Sequence, residues 1–197
     1  MARFGITPDR ALGVRIPDLR RLAREIGTDH SLSLRLWRTG VHEARILAGM
    51  IDDPARVTER QMESWARAFD SWDLCDQVCG NLFDRTPFAW RKAVEWAGRE
   101  EEFVKRAGFA LMAWLAVHDR PAGDDAFRAL LPVLEREAGD GRNFVRKAAS
   151  WALRQIGKRN DRLRGEAIRV ARRLADGDSR AAGWVGRDTL RELGGSA

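Results

Sequence analysis

The stretch Ser71-Trp-Asp-Leu-Cys-Asp-Gln-Val-Cys-Gly-Asn-Leu-Phe83 decides how the chain is read. Wound as a helix at about 100° per residue, it puts Leu74, Cys75, Val78, Cys79, Leu82 and Phe83 on one contiguous apolar arc. Asp70 or Ser71 supplies the N-cap. Trp72 lies at the edge of the arc and Asp76, four residues on, just beyond it, so a carboxylate sits beside an indole. The helix therefore has a buried side and an aromatic-acid lip. Cys75 and Cys79 are the only cysteines. They share the apolar arc with no His nearby, which reads as two buried thiols and not as a metal or redox pair.

The same period continues in both directions. Pro17 and Gly27 frame a helix to Ile26, and others are expected over about 32–39, 41–51 and 58–69. After the Trp72 helix, which ends near Phe83, Thr86 as N-cap and Pro87 at the first helical position restart the chain to about Ala97. Further helices span about 100–117, 125–137, 143–156, 163–174 and 179–193. No segment alternates with period 2, so the fold class is all-α, with about eleven helices. The connections are short and there is no long linker, so residues 1–197 read as a single domain. Arg91-Lys-Ala-Val-Glu-Trp-Ala97 echoes Arg146-Lys-Ala-Ala-Ser-Trp-Ala152, which suits an α-solenoid of degenerate helical hairpins; a compact irregular bundle is the other arrangement of such helices.

Eight Trp, eight Phe and no Tyr give more indole than packing alone needs. The net charge of +6 favours an anionic partner. That charge is lopsided: residues 141–197 hold 14 Lys/Arg against 6 Asp/Glu. No apolar run reaches the roughly 18 residues of a membrane span, and the N-terminus lacks a signal-peptide core, so a cytoplasmic protein without membrane contact is expected. His42 and His118 have no partner at metal or catalytic spacing and read as structural.

In the helix around 143–156 the two faces separate. Val145, Ala149, Ala152 and Ile156 fall together, and Lys147, Trp151, Arg154 and Lys158 cluster opposite. An indole among three cations suits a ligand with both anionic groups and an apolar surface, as a nucleic acid has. The alternative is that a neighbouring hairpin covers Trp151 and the cations are solvated surface. Arg106 stands four residues after Glu102, where a helix-surface ion pair competes with phosphate contact. For Asp76 the alternative is an ordinary helix acid. Near an anionic backbone, however, a lone carboxylate suits chemistry that builds positive charge.

Three motifs in order, Ser71-Trp-Asp-Leu-Cys-Asp76, Phe103-Val-Lys-Arg-Ala107 and Phe144-Val-Arg-Lys-Ala-Ala-Ser-Trp-Ala-Leu-Arg154, resemble the bacterial DNA alkylation repair family of AlkD-like HEAT-repeat DNA glycosylases, over about 40–193. The resemblance implies a HEAT-like α-solenoid with a concave, basic cleft for double-stranded DNA. It implies Asp76 as the catalytic carboxylate, Trp72 and Trp151 as aromatic walls, and Arg106 as a phosphate contact, with Lys147, Arg154 and Lys158 holding further phosphates. The implied reaction is hydrolysis of the N-glycosidic bond of cationic alkylated purines, of 3-methyladenine or 7-methylguanine type, without a deep base-flipping pocket and as part of base excision repair. No cofactor or metal is implied, and a monomer is expected. The chain begins close to the first motif and is expected to lack leading helices of the members it resembles. Two other functions fit the same residues: a non-catalytic protein that senses damaged DNA, and a protein-interaction scaffold.

Overall fold

A computed structural model describes residues 11–194. Among them eleven α-helices follow one another without a strand. They are α1 (Ile16–Ile26), α2 (His30–Arg38), α3 (His42–Ile51), α4 (Glu59–Arg67), α5 (Trp72–Asn81), α6 (Ala89–Ala97), α7 (Glu102–His118), α8 (Asp124–Glu137), α9 (Asn143–Gly157), α10 (Asp161–Asp176) and α11 (Arg180–Leu193). A 3-10 turn, Phe83–Arg85, lies between α5 and α6.

The helix ends follow local chemistry. Pro17 sits in the first turn of α1, where N–H groups have no intrahelical partner, and Gly27 closes that helix at a φ of 74°. Asp29, Thr58, Asn160 and Ser179 cap α2, α4, α10 and α11 by accepting the backbone N–H three residues on. Ser71 is the N-cap of α5 through its backbone, with its hydroxyl making no cap bond. One boundary departs from the sequence reading. The Thr86 hydroxyl donates to the Phe83 carbonyl (2.8 Å), so it closes the 3-10 turn and α6 begins only at Ala89.

Helix packing divides the chain into two compact units, Met1–Ala89 and Trp90–Ala197. Within each, a helix packs on the one two places further along. In the first unit α1 meets α3 and α3 meets α5. Trp37 of α2 stacks on Trp65 of α4, 3.9 Å between ring centroids. In the second, α7 meets α9, α9 meets α11, and α8 meets α10. This skipping order is what stacked helical hairpins produce, because each pair buries its apolar face on the next.

Several polar contacts between helices share one sequence separation. In the second unit Arg106 reaches Phe144, Arg128 reaches Glu166, Arg173 reaches Glu135 and Ser150 reaches Asp188, each across 38 residues. In the first, Leu12 and Glu43, and then His42 and Asp73, meet across 31. The echo between the Arg91 and Arg146 segments does not fall on this interval; it records two helix openings with similar surfaces.

The apolar arc of α5 is buried throughout, from Leu74 to Phe83. Each such large side chain contributes roughly 1.5–3 kcal/mol when fully withdrawn from water. Two glycines permit backbone contact between helices: a Cβ at Gly108 of α7 would lie 2.3 Å from the Ala97 nitrogen, and one at Gly186 of α11 2.4 Å from the Ala171 oxygen. Among the described residues no helix is long and apolar enough to cross a membrane.

Candidate functional site

In the first unit the residues singled out by sequence lie on α5. Trp72 opens the helix and Asp76 stands one turn on; both are half-buried beside the fully buried arc. The first turn of α5 is fastened to α3, since His42 Nε2 lies 2.8 Å from Asp73 Oδ2. The hydrogen bond to Asp73 raises the His42 pKa above its ordinary value, against the opposing effect of burial. Burial alone would push the Asp73 carboxyl up, but the hydrogen bond and charge of His42 outweigh it and hold it below the usual range. Both shifts favour the charged pair.

Just before the helix, Asp70 accepts a hydrogen bond from Arg45 Nη1 (3.0 Å). The same guanidinium donates to the Ala68 carbonyl and lies over the Trp37 ring, 4.4 Å from its centroid. The lip that carries Trp72 and Asp76 is thus held from α3 by two cation–carboxylate pairs. The sequence reading gave His42 as structural but not its partner, which is 31 residues away on another helix. Cys75 and Cys79 are both buried and outside any disulfide, and burial pushes the Cys79 thiol well up, which does not suit a nucleophile.

In the second unit the faces of α9 separate as the sequence requires, with Val145, Ala149, Ala152 and Ile156 buried. Lys147 is exposed and, among the described residues, makes no hydrogen bond or ion pair. Trp151 is half-buried and meets Trp114 of α7 edge to face, 5.4 Å between centroids at 88°. Trp114 in turn stacks on the exposed ring of His118, 4.9 Å away. The structure therefore joins Trp151 to two further rings, those of Trp114 and His118.

Arg154 and Lys158 differ from a freely solvated basic face. Arg154 pairs with Asp188 and with Glu192 (2.7 Å), and donates to the Ser150 hydroxyl (2.7 Å). Lys158 pairs with Glu192 as well. Both matching carboxylates come from α11, which a wheel drawn for α9 alone does not contain. Arg106 is only 6% exposed, and its Nη1 donates to the Phe144 carbonyl at 2.5 Å. It braces α7 against the first turn of α9. Much of the basic surplus of the C-terminal third is engaged in the same way, on carboxylates and carbonyls: Arg142 on Asp140, Arg159 on the Ala116 and Asp119 carbonyls, and Arg164 on that of Leu193. Among the described residues there, Lys147, Arg169, Arg172, Arg180 and Arg187 carry no such partner.

No group of three or more His, Cys, Asp or Glu gathers as metal ligands would among the described residues. The model of the family described as DNA alkylation repair enzyme matches residues 1–192. The chain belongs to that family. A solved structure from a family of proteins related to the HEAT-like repeat DNA glycosylases, with affinity for branched DNA structures, is similar to this family member with a TM-score of 0.79. The likeness covers 98% of this chain and 86% of the other at 18% identity. It shows the fold, an all-α HEAT-like repeat, in agreement with the two-place packing order of the helices. No curated protein matches the chain.

Proposed function

We propose that this DNA alkylation repair family member is a glycosylase that hydrolyses the N-glycosidic bond of cationic alkylated purines in double-stranded DNA. The observation that carries the reading is α5, which holds an indole and a carboxylate one turn apart on a pinned helix, in a chain of this family. A purine alkylated at N3 or N7 already carries positive charge. As the bond breaks, its electron pair passes to the purine nitrogen, so the leaving group needs little protonation. The barrier then lies in the oxocarbenium character growing at C1′, which a carboxylate stabilises electrostatically and an electron-rich indole face assists. Asp76 takes that role and orients the water that adds to C1′, with its proton passing to solvent. Trp72 is the neighbouring aromatic wall.

In the second unit Trp151, continued by Trp114 and His118, offers an aromatic surface to bound DNA. Lys147 contacts a phosphate. Arg154 and Lys158 act within their pairs to Asp188 and Glu192, as a weaker second tier of phosphate contacts. Arg106 serves the site by setting the first turn of α9.

The test is release of free base from duplex DNA containing 7-methylguanine, by wild type and Asp76→Asn side by side at low salt. Wild type should release base and the variant should lose about 10²-fold or more in rate while still binding duplex. Equal rates in the two proteins would remove Asp76 from the chemistry. A second reading draws on the affinity of the similar solved family for branched DNA structures. It makes this chain a non-catalytic binder of such structures. In that case neither protein releases base, and both bind a four-way junction more tightly than linear duplex.

A further inference from the structure

The first unit holds a depression of about 430 Å³ between α2 and the start of α4, apart from the lip of α5. Arg38 at the end of α2, Arg56 in the loop before α4 and Arg60 in its first turn all line it. All three are exposed, and among the described residues none of their guanidinium groups makes a hydrogen bond or an ion pair. The guanidinium groups of Arg45, Arg128, Arg142, Arg154 and Arg173, in contrast, each meet a carboxylate. Three unmatched cations around one concavity repel one another until an anion joins them. Thr58, the N-cap of α4, also lines the depression, so the positive end of that helix adds to the field.

No carboxylate is among the residues that line the depression. Asp52 is fully buried and already engaged: His30 Nδ1 lies 2.5 Å from its Oδ1, Gln61 Nε2 donates to Oδ2 at 2.6 Å, and the Asp53 N–H donates to Oδ1 at 2.8 Å. Asp52 therefore holds His30 and Gln61 in the wall of the depression. The aromatic groups are engaged as well. Trp37 stacks on Trp65 and carries the Arg45 guanidinium over its ring, which leaves no open indole face for a base. The depression offers guanidinium forks and no stacking surface.

We infer that this depression is a phosphate-binding site, built from Arg38, Arg56 and Arg60 at the N-terminal end of α4, for the oxyanion of a phosphate mono- or diester. The phosphate comes from the backbone of a duplex or from a free phosphate or nucleotide. The inference does not rest on the chemistry assigned to Asp76. The experiment compares the full chain with R38Q/R56Q/R60Q, using an unmodified duplex so that base release does not enter. Duplex affinity is measured by anisotropy across a salt series, and inorganic phosphate is titrated by calorimetry.

If the duplex occupies the site, the slope of log K against log salt falls by at least about 1 in the variant, at roughly 0.9 for each phosphate that the protein no longer neutralises. If the ligand is a free phosphate, wild type gives a saturable phosphate heat that the variant lacks, and the duplex slopes coincide. Equal slopes together with equal phosphate heats would overturn the inference. The side chains are exposed, so circular dichroism should be unchanged; if the triple variant misfolds, R38Q, R56Q and R60Q singly are each expected to show part of the effect.

Discussion

Replacing Gly108 by Ala measures how closely α6 and α7 cross. The added Cβ would stand 2.3 Å from the Ala97 nitrogen, and 2.8 Å from both the Ala97 Cα and the Trp96 carbonyl carbon. Unstrained contacts of this kind lie near 3.5 Å, so α6 would have to retreat by about 1 Å. All three atoms are helical backbone and cannot rotate aside as a side-chain tip can. Overpacking of this sort costs roughly 1–3 kcal/mol, and the crowding here puts it at the upper end. Removing a helical glycine returns about 1 kcal/mol, which leaves a net loss of about 2. Gly165 of α10 supplies the control, because its Cβ would meet only the far end of Arg169, at 3.8 Å. Gly165→Ala should therefore gain about 0.5–1 kcal/mol. Urea denaturation of the three proteins should move the midpoint in opposite directions, by about 1 M for Gly108→Ala. If Gly108→Ala were as stable as wild type, the backbone contact between α6 and α7 would be refuted.

The His42–Asp73 pair carries a pH signature. With His42 raised and Asp73 lowered, its contribution is fully present between the unfolded values of about 3.9 and 6.5. It is lost as pH rises through the folded His42 value, and again as pH falls through that of Asp73. The stability gap between wild type and His42→Gln should be widest near about pH 5–6 and narrow toward pH 9; a gap constant with pH would exclude the charged pair. Lys147→Gln, which removes a cation with no partner among the described residues, should lower the duplex salt slope by about 0.9 and leave stability unchanged. Arg154→Gln, which deprives Asp188 and Glu192 of their cation, should cost roughly 1–3 kcal/mol in denaturant and change the slope less. Identical slope changes in the two variants would contradict the different environments of the two side chains.

All eleven helices were legible in the sequence, because each carries its own apolar period and most carry their own start or stop signals, Thr58 and Gly27 among them. Thr86 misled, since its hydroxyl can close a 3-10 turn as readily as it caps a helix, and the choice depends on Phe83 lying in front of it. The α5 lip could be read because Trp72 and Asp76 belong to one turn. The fates of Arg106, Arg154 and Lys158 could not, since their partners Phe144, Asp188 and Glu192 come from other helices. The ring of Trp114 that meets Trp151, and the gathering of Arg38, Arg56 and Arg60 around one depression, were hidden for the same reason. Period assigns a side chain to a face but does not say what stands opposite.

The 38-residue interval in the second unit also governs how that unit can come apart. Every bond in the series ties a repeat to its immediate successor, so cooperativity there is handed from neighbour to neighbour and is not shared by one central nucleus. A weakened link lowers the barrier locally and leaves the other junctions intact. Pulled lengthwise in an optical trap, this half of the chain should yield as a staircase, with steps of about one hairpin, and refold by zipping from whichever hairpin closes first.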